Sequence, residues 1–287
     1  MLWFYLSLTS AITLATVDAL SKYALKDSGE EAVAWASWGF ATPFLLATIP
    51  FIQIPPLDLT FWAATLIALP LEAVAVLLYI KAIKVSPLSL TIPFLALTPM
   101  FIIVTSFLML RELPSRSGLG GIMLIAIGAY LLNLNDSGKG LLAPIKAISR
   151  EKGSVMMIAV AVIYSITSNL GKIAVLHSSP SFFAVAYTSI FSLFLLPYVI
   201  IKERALAAVI KTRIRLFLLL GFIFALMVTA HFTAIRLVEV SYMISVKRTS
   251  LIFSVLYGRL FFKEENFRER ILGSLVMVAG VFLITMF

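Results

Sequence analysis

Eight ionisable side chains lie inside long apolar runs: Asp18, Lys22, Glu72, Lys172, His231, Lys247, Arg248 and Arg259. A charge at the centre of a membrane helix costs roughly 2.5–3.5 kcal/mol on insertion scales, so such groups are expected to face a bundle interior or a water-filled cavity. Lys247 and Arg248 are adjacent and lie seven or eight residues into their run. An ammonium supplies a point charge and a guanidinium a bidentate fork, a combination that suits phosphate or carboxylate. Neighbours on a helix point about 100° apart, so both can border one cavity without lying parallel. The competing reading is a structural pair neutralised by Glu72 or Asp18, with Arg259 reaching for the interface.

Glu72 lies near the middle of its own run. It can be a proton or cation site, or the counter-ion of Lys247 or Arg248, and the counter-ion role ranks first. Asp18 and Lys22 are four apart on one helical face, the spacing of a self-neutralising pair, and that reading is preferred. Lys172 has no acid at the corresponding position. It either lines a site together with Asn169 or snorkels to the nearby interface. His231 can titrate near neutral pH as part of a working cycle or serve as a hydrogen-bonded lining residue. All eight of Lys247, Arg248, Glu72, Asn169, His231, Lys172, Asp18 and Lys22 are candidate substrate-binding residues.

The elements that must position them follow from composition. The 287 residues are 61% apolar and only 13% charged, whereas a soluble surface needs roughly 25–35% charge. The chain reads as an integral membrane protein. Without cysteine there is no disulfide framework, thiolate metal site or cysteine nucleophile. Two histidines are too few for a histidine-rich metal centre, so neither metal nor cofactor is expected. The net charge of +9 is scattered over short loops rather than gathered on one basic face, which argues against nucleic acid.

A helix needs about 20 apolar residues to cross about 30 Å of hydrocarbon. Ten such runs are present: residues 2–25, 32–54, 61–80, 88–110, 118–134, 155–176, 182–201, 216–235, 240–262 and 271–287. The strand alternation of a membrane barrel is absent. The first run carries Asp18 and Lys22 and has no basic residue ahead of it, so it reads as a retained helix. Residues 135–154 form a basic linker between two units, 1–134 and 155–287.

These units are related by an internal repeat. At an offset of 150, Asp18-Ala-Leu-Ser-Lys22 lies over Ser168-Asn-Leu-Gly-Lys172. At an offset of 152, Glu112 matches Glu264, Arg116 matches Arg268, and Gly121 and Gly128 match Gly273 and Gly280. Five spans is an odd number, so the second unit enters the membrane from the opposite side, giving an all-α fold of two inverted five-helix repeats. That plan places a substrate site near the midplane, between the halves. Pro87, Pro93 and Pro99 recur every six residues in the fourth span, and Pro93 and Pro99 are candidate kink or gating positions. The paired glycines, seven apart, predict close helix packing or a dimer face. Monomer and homodimer stay open.

Ten spans in two five-helix units resemble the drug/metabolite transporter superfamily, in particular its EamA-type branch. The resemblance is carried by Ala82-Ile83-Lys84-Val85-Ser86-Pro87, by Leu110-Arg111-Glu112-Leu113-Pro114 with Gly121 and Gly128, and by their second copies. The Lys247-Arg248 pair is similar to the phosphate-binding pair of the sugar-phosphate translocators in that superfamily, although Leu95 and Ala96 stand at the matching place in the first half. The resemblance implies a membrane transporter without naming its substrate; with the inverted repeat and the Lys247-Arg248 pair, the expectation is a secondary-active transporter of a small anionic or zwitterionic metabolite, working by alternating access in a bacterial or archaeal inner membrane. Export of cationic or amphipathic compounds through Glu72 and Asp18 is the runner-up. An enzyme is disfavoured, because no G-x-S-x-G, H-E-x-x-H or clustered catalytic set is present. No G-x-x-x-x-G-K-[ST] motif occurs, so a gradient or exchange must supply the energy. Basic residues number fifteen in one set of loops and three on the other side. That bias puts both termini outside, whereas members of this superfamily are usually described with both inside.

Overall fold

A computed structural model describes residues 1–86, 92–131, 152–262 and 267–286. Every regular element among them is helical. Backbone groups facing lipid have no water to bond, and a helix satisfies them within its own segment. The first half holds α1 (Leu2–Ala24), α2 (Glu30–Leu46), α3 (Leu59–Val85), a 3-10 segment (Ile92–Leu97) leading into α4 (Thr98–Leu110), and α5 (Arg116–Leu131). The second holds α6 (Lys152–Leu176), α7 (Pro180–Lys202), α8 (Leu206–Leu237), α9 (Val240–Lys247), α10 (Ser250–Phe262) and α11 (Phe267–Met286).

Five of these helices, α1, α3, α6, α7 and α8, are long and apolar enough to cross a membrane. The outer surface is apolar, with Val104, Leu108, Leu193, Ile201 and Leu260 all well exposed, as hydrocarbon solvent demands. Four hydroxyls along α1 bond within the helix: Ser7, Thr9, Thr13 and Thr16 each donate to the carbonyl four residues back.

Four sequence expectations change. The second run does not stay helical to residue 54: α2 ends at Leu46 and a 3-10 turn follows at Ile49–Phe51. The fourth and ninth runs are not continuous α-helices. Residues 92–97 are 3-10, and the chain turns at Arg248 and Thr249 between α9 and α10. With Pro93 and Pro99, two backbone donors are missing around the first break. Pro99 stands in the first turn of α4, where its missing donor costs little, so it starts a helix and does not kink one. The two breaks fall at equivalent places: Leu97 precedes Thr98 as Thr249 precedes Ser250, at the offset of 152. The eighth run starts about ten residues early, because α8 continues back to Leu206 through a non-helical Arg213. The Arg213 guanidinium binds Asp27 in the α1–α2 turn, which anchors this extension. Pro87 and most of the 135–154 linker fall outside the described residues.

Packing repeats with the halves exchanged. The α3·α6 contact has its counterpart in α1·α8, and α4·α6 in α1·α10. Helices α5 and α11 form the most extensive pair. A Cβ on Gly121 would lie 2.7 Å from the Gly280 carbonyl oxygen, and one on Gly128 would lie 2.6 Å from that of Gly273. Rising numbers on α5 therefore meet falling numbers on α11, so the two run antiparallel. The backbones approach this closely only because no side chain stands between them.

Candidate functional site

The packing leaves a central cavity of about 150 Å³. Its wall takes residues from α1, α2, α3, the 3-10 segment Ile92–Leu97, α6, α7, α8, α9 and the turn after α9. One side is aromatic: Trp38 packs on Phe191 and Phe224, with ring centroids 4.3 and 4.7 Å apart, and Phe183 stacks on Tyr187 at 5.1 Å. The wall also holds Asp18, Glu72, His231, Lys247 and Arg248, so the fold brings five of the eight candidate residues to one cavity.

Each of these groups has a polar neighbour on another element. Tyr79 donates its hydroxyl to Asp18 at 2.6 Å. Lys247 Nζ lies 3.2 Å from His231 Nδ1 and donates to the Met227 sulfur at 3.4 Å. Arg248 donates to Thr98 Oγ1 at 3.0 Å, reaching the start of α4, while its buried Nε has no partner. Thr167 of α6 stands beside the Glu72 carboxyl. Among the described residues none of Asp18, Glu72, Lys247 and Arg248 forms a salt bridge. The contact counter-ion expected for Glu72 is therefore not formed. Lys247, Arg248, Asp18 and Glu72 therefore line one cavity without direct ion pairs among them.

The other three candidates point elsewhere. Lys22 does not pair with Asp18: it donates to the Ile83 and Ser86 carbonyls at the end of α3, the latter at 3.1 Å. Lys172 does not snorkel. It is 6% exposed, bonds Glu112 at 2.5 Å and donates to the Val238 carbonyl at 2.8 Å. Asn169 is buried and donates to Thr105 Oγ1 and the Ser165 carbonyl, at 2.9 and 2.7 Å. None of the three lines the cavity. The Arg259 side chain falls outside the described residues.

Tyr79, Thr98, Thr167 and the aromatic wall escaped the sequence reading. Tyr79 had a signal, since it lies opposite His231 at the repeat offset of 152. Thr98 had none, because a threonine in an apolar run ordinarily back-bonds within its own helix.

The family model described as the EamA-like transporter family matches residues 1–134 and again 151–286. The chain belongs to the EamA-like transporter family. EamA proteins are membrane transporters, and two matches on one chain are two copies of the EamA unit. One solved crystal structure superposes on this EamA chain with a TM-score of 0.71, covering 99% of this chain and 98% of the other at 14% identity. That likeness speaks for the fold alone. A search of curated proteins returned no match.

Proposed function

We propose that the protein is a secondary-active transporter of a small anionic or zwitterionic metabolite, working by alternating access between two inverted five-span repeats. The observation that carries this is the central cavity with Lys247 and Arg248 on its wall. Arg248 is buried on that wall and among the described residues donates to a neutral hydroxyl and to no carboxylate, which leaves its charge for an anionic group. Inversion is supported by the antiparallel course of α5 and α11. Ten crossings are supported by the helix lengths. At about 2 Å per 3-10 residue and 1.5 Å per α-helical residue, the segment from 92 to 110 reaches about 30 Å, the hydrocarbon thickness. Breaks at matching positions in both halves suit a substrate site built from discontinuous helices.

The EamA assignment fits a bacterial or archaeal cytoplasmic membrane. The test is uptake by purified protein in liposomes, using carboxylated, phosphorylated, zwitterionic and cationic solutes. Anionic or zwitterionic uptake is expected to fail in Lys247→Ala and Arg248→Ala. If both variants transport normally while Glu72→Gln abolishes flux, the runner-up holds: export of cationic or amphipathic compounds, with Glu72 and Asp18 binding the cation. That second reading draws on both carboxylates lining the same cavity.

A further inference from the structure

Lys22 and Lys172 are repeat-equivalent, and they make the equivalent bond. Lys22 donates to the carbonyl of Ser86 and Lys172 to that of Val238. Ser86 and Val238 are themselves 152 apart and end α3 and α8. A lysine at a helix C-terminus complements its unbonded carbonyls and its negative dipole end. Each lysine therefore ties the first helix of its half to the end of the third.

The two ties lie at opposite poles of the cavity. Along α3, Ser86 marks one end. The other end is Asp58, which lies 2.6 Å from His177, five residues beyond Lys172. Both lysines follow directly on lining residues, Ser21 before Lys22 and Gly171 before Lys172. At the Lys172 pole the tie is extended. Glu112, in the α4–α5 turn, takes the ammonium on one oxygen and accepts from the Val240 N–H at 3.2 Å on the other. Val240 opens α9, so one lysine and one carboxylate join α6, α8, α9 and the α4–α5 turn. Opening this pole must separate those segments, and hence this pair.

We infer that Lys172–Glu112 and Lys22 are the two latches of the transport path, one at each mouth of the cavity, and not substrate ligands. This rests on the alternating-access reading above. In each half-cycle one latch holds while the opposite one parts.

The chain has no cysteine, so single-cysteine labelling is clean. Ser168→Cys and Ser21→Cys each place a thiol on the cavity wall. In sealed proteoliposomes, the rate of reaction with an impermeant maleimide is read from each face. Lys172→Met is expected to speed labelling by at least about fivefold from one face, and Lys22→Met by a similar factor from the other, a typical conformational coupling. Glu112→Gln keeps the shape and the acceptor for Val240 but loses the charge. It guards against simple misfolding, and a smaller increase is expected from the same face as Lys172→Met. Unchanged rates in Lys172→Met and Glu112→Gln overturn the latch. If both lysine variants open the same face, the inverted-repeat reading fails, and the two-mouth assignment fails with it.

Discussion

The two halves share a backbone plan and divide the chemistry. Both carboxylates in the cavity come from the first half, Asp18 and Glu72, and both cations from the second, Lys247 and Arg248. At the repeat offsets, Ser168 replaces Asp18, Phe224 replaces Glu72, Leu95 replaces Lys247 and Ala96 replaces Arg248. The supports diverged in step: Tyr79 holds Asp18, and its counterpart His231 meets Lys247. What stayed common is mechanical, namely the breaks at Thr98 and Ser250, the lysine ties and the glycine seam. The lesson is a division of labour. The symmetric parts are the scaffold, and the asymmetric parts are the ionisable groups that line the cavity.

The harshest challenge to that division is Arg248→Ala. It removes a buried guanidinium from the cavity wall, and a hydrogen bond to a charged group is worth about 1.5–3 kcal/mol. Transport efficiency in liposomes is expected to fall by about 100-fold, with the fold intact by detergent chromatography. Next comes the shared seam. Gly128→Ala sets a methyl against the Gly273 carbonyl, and overpacking of this kind costs about 1–3 kcal/mol. Thermal unfolding in detergent is expected to drop clearly. Gly120→Ala meets only Leu283 Cδ2, at 3.3 Å, and is expected to stay near the parent.

A subtler probe replaces a second-half support with its first-half equivalent. His231→Tyr offers Lys247 a phenol oxygen in place of the imidazole nitrogen. With His231 acting as a neutral rest, uptake is expected to stay within about threefold, the size of one ordinary hydrogen bond. Collapse to background would give His231 a proton-carrying role instead.

The smallest effect lies outside the cavity. The backbone N–H of Phe61 and the side chain of His177 hold the Asp58 carboxyl below its ordinary value. A depressed carboxylate stabilises the fold fully above its unfolded pKa of about 3.9, and that contribution disappears as pH falls through the lower folded value. A weak acid-induced loss of melting temperature is therefore expected below about pH 4. Asp58→Asn keeps the helix cap and should remove that pH dependence.

The large features were legible because each rests on a pattern spanning many residues. Lipid solvent imposes long apolar runs, and duplication copies Glu112, Gly121 and Gly128 into a second register. The site was half legible. An ion in an apolar run is conspicuous, so Asp18, Glu72, His231, Lys247 and Arg248 could be named. Where each side chain turns was not readable. Asp18 and Lys22 have the spacing of a pair, yet α3 offers Asp18 a phenol and Lys22 two terminal carbonyls. Those partners lie about sixty residues away, and no local rule reports them. The break after Arg248 was equally hidden, because Thr249 and Ser250 carry no proline or glycine to announce it.

The glycine seam has one more consequence. Because Gly121 against Gly280 and Gly128 against Gly273 are a single contact met twice, α5 and α11 are matched in register as well as in composition. A length change in one copy alone would slide every later bond out of step, and the Gly128 notch would then face a side chain in place of Gly273. Drift is free to rewrite the cavity one residue at a time, but it must edit this rivet in duplicate.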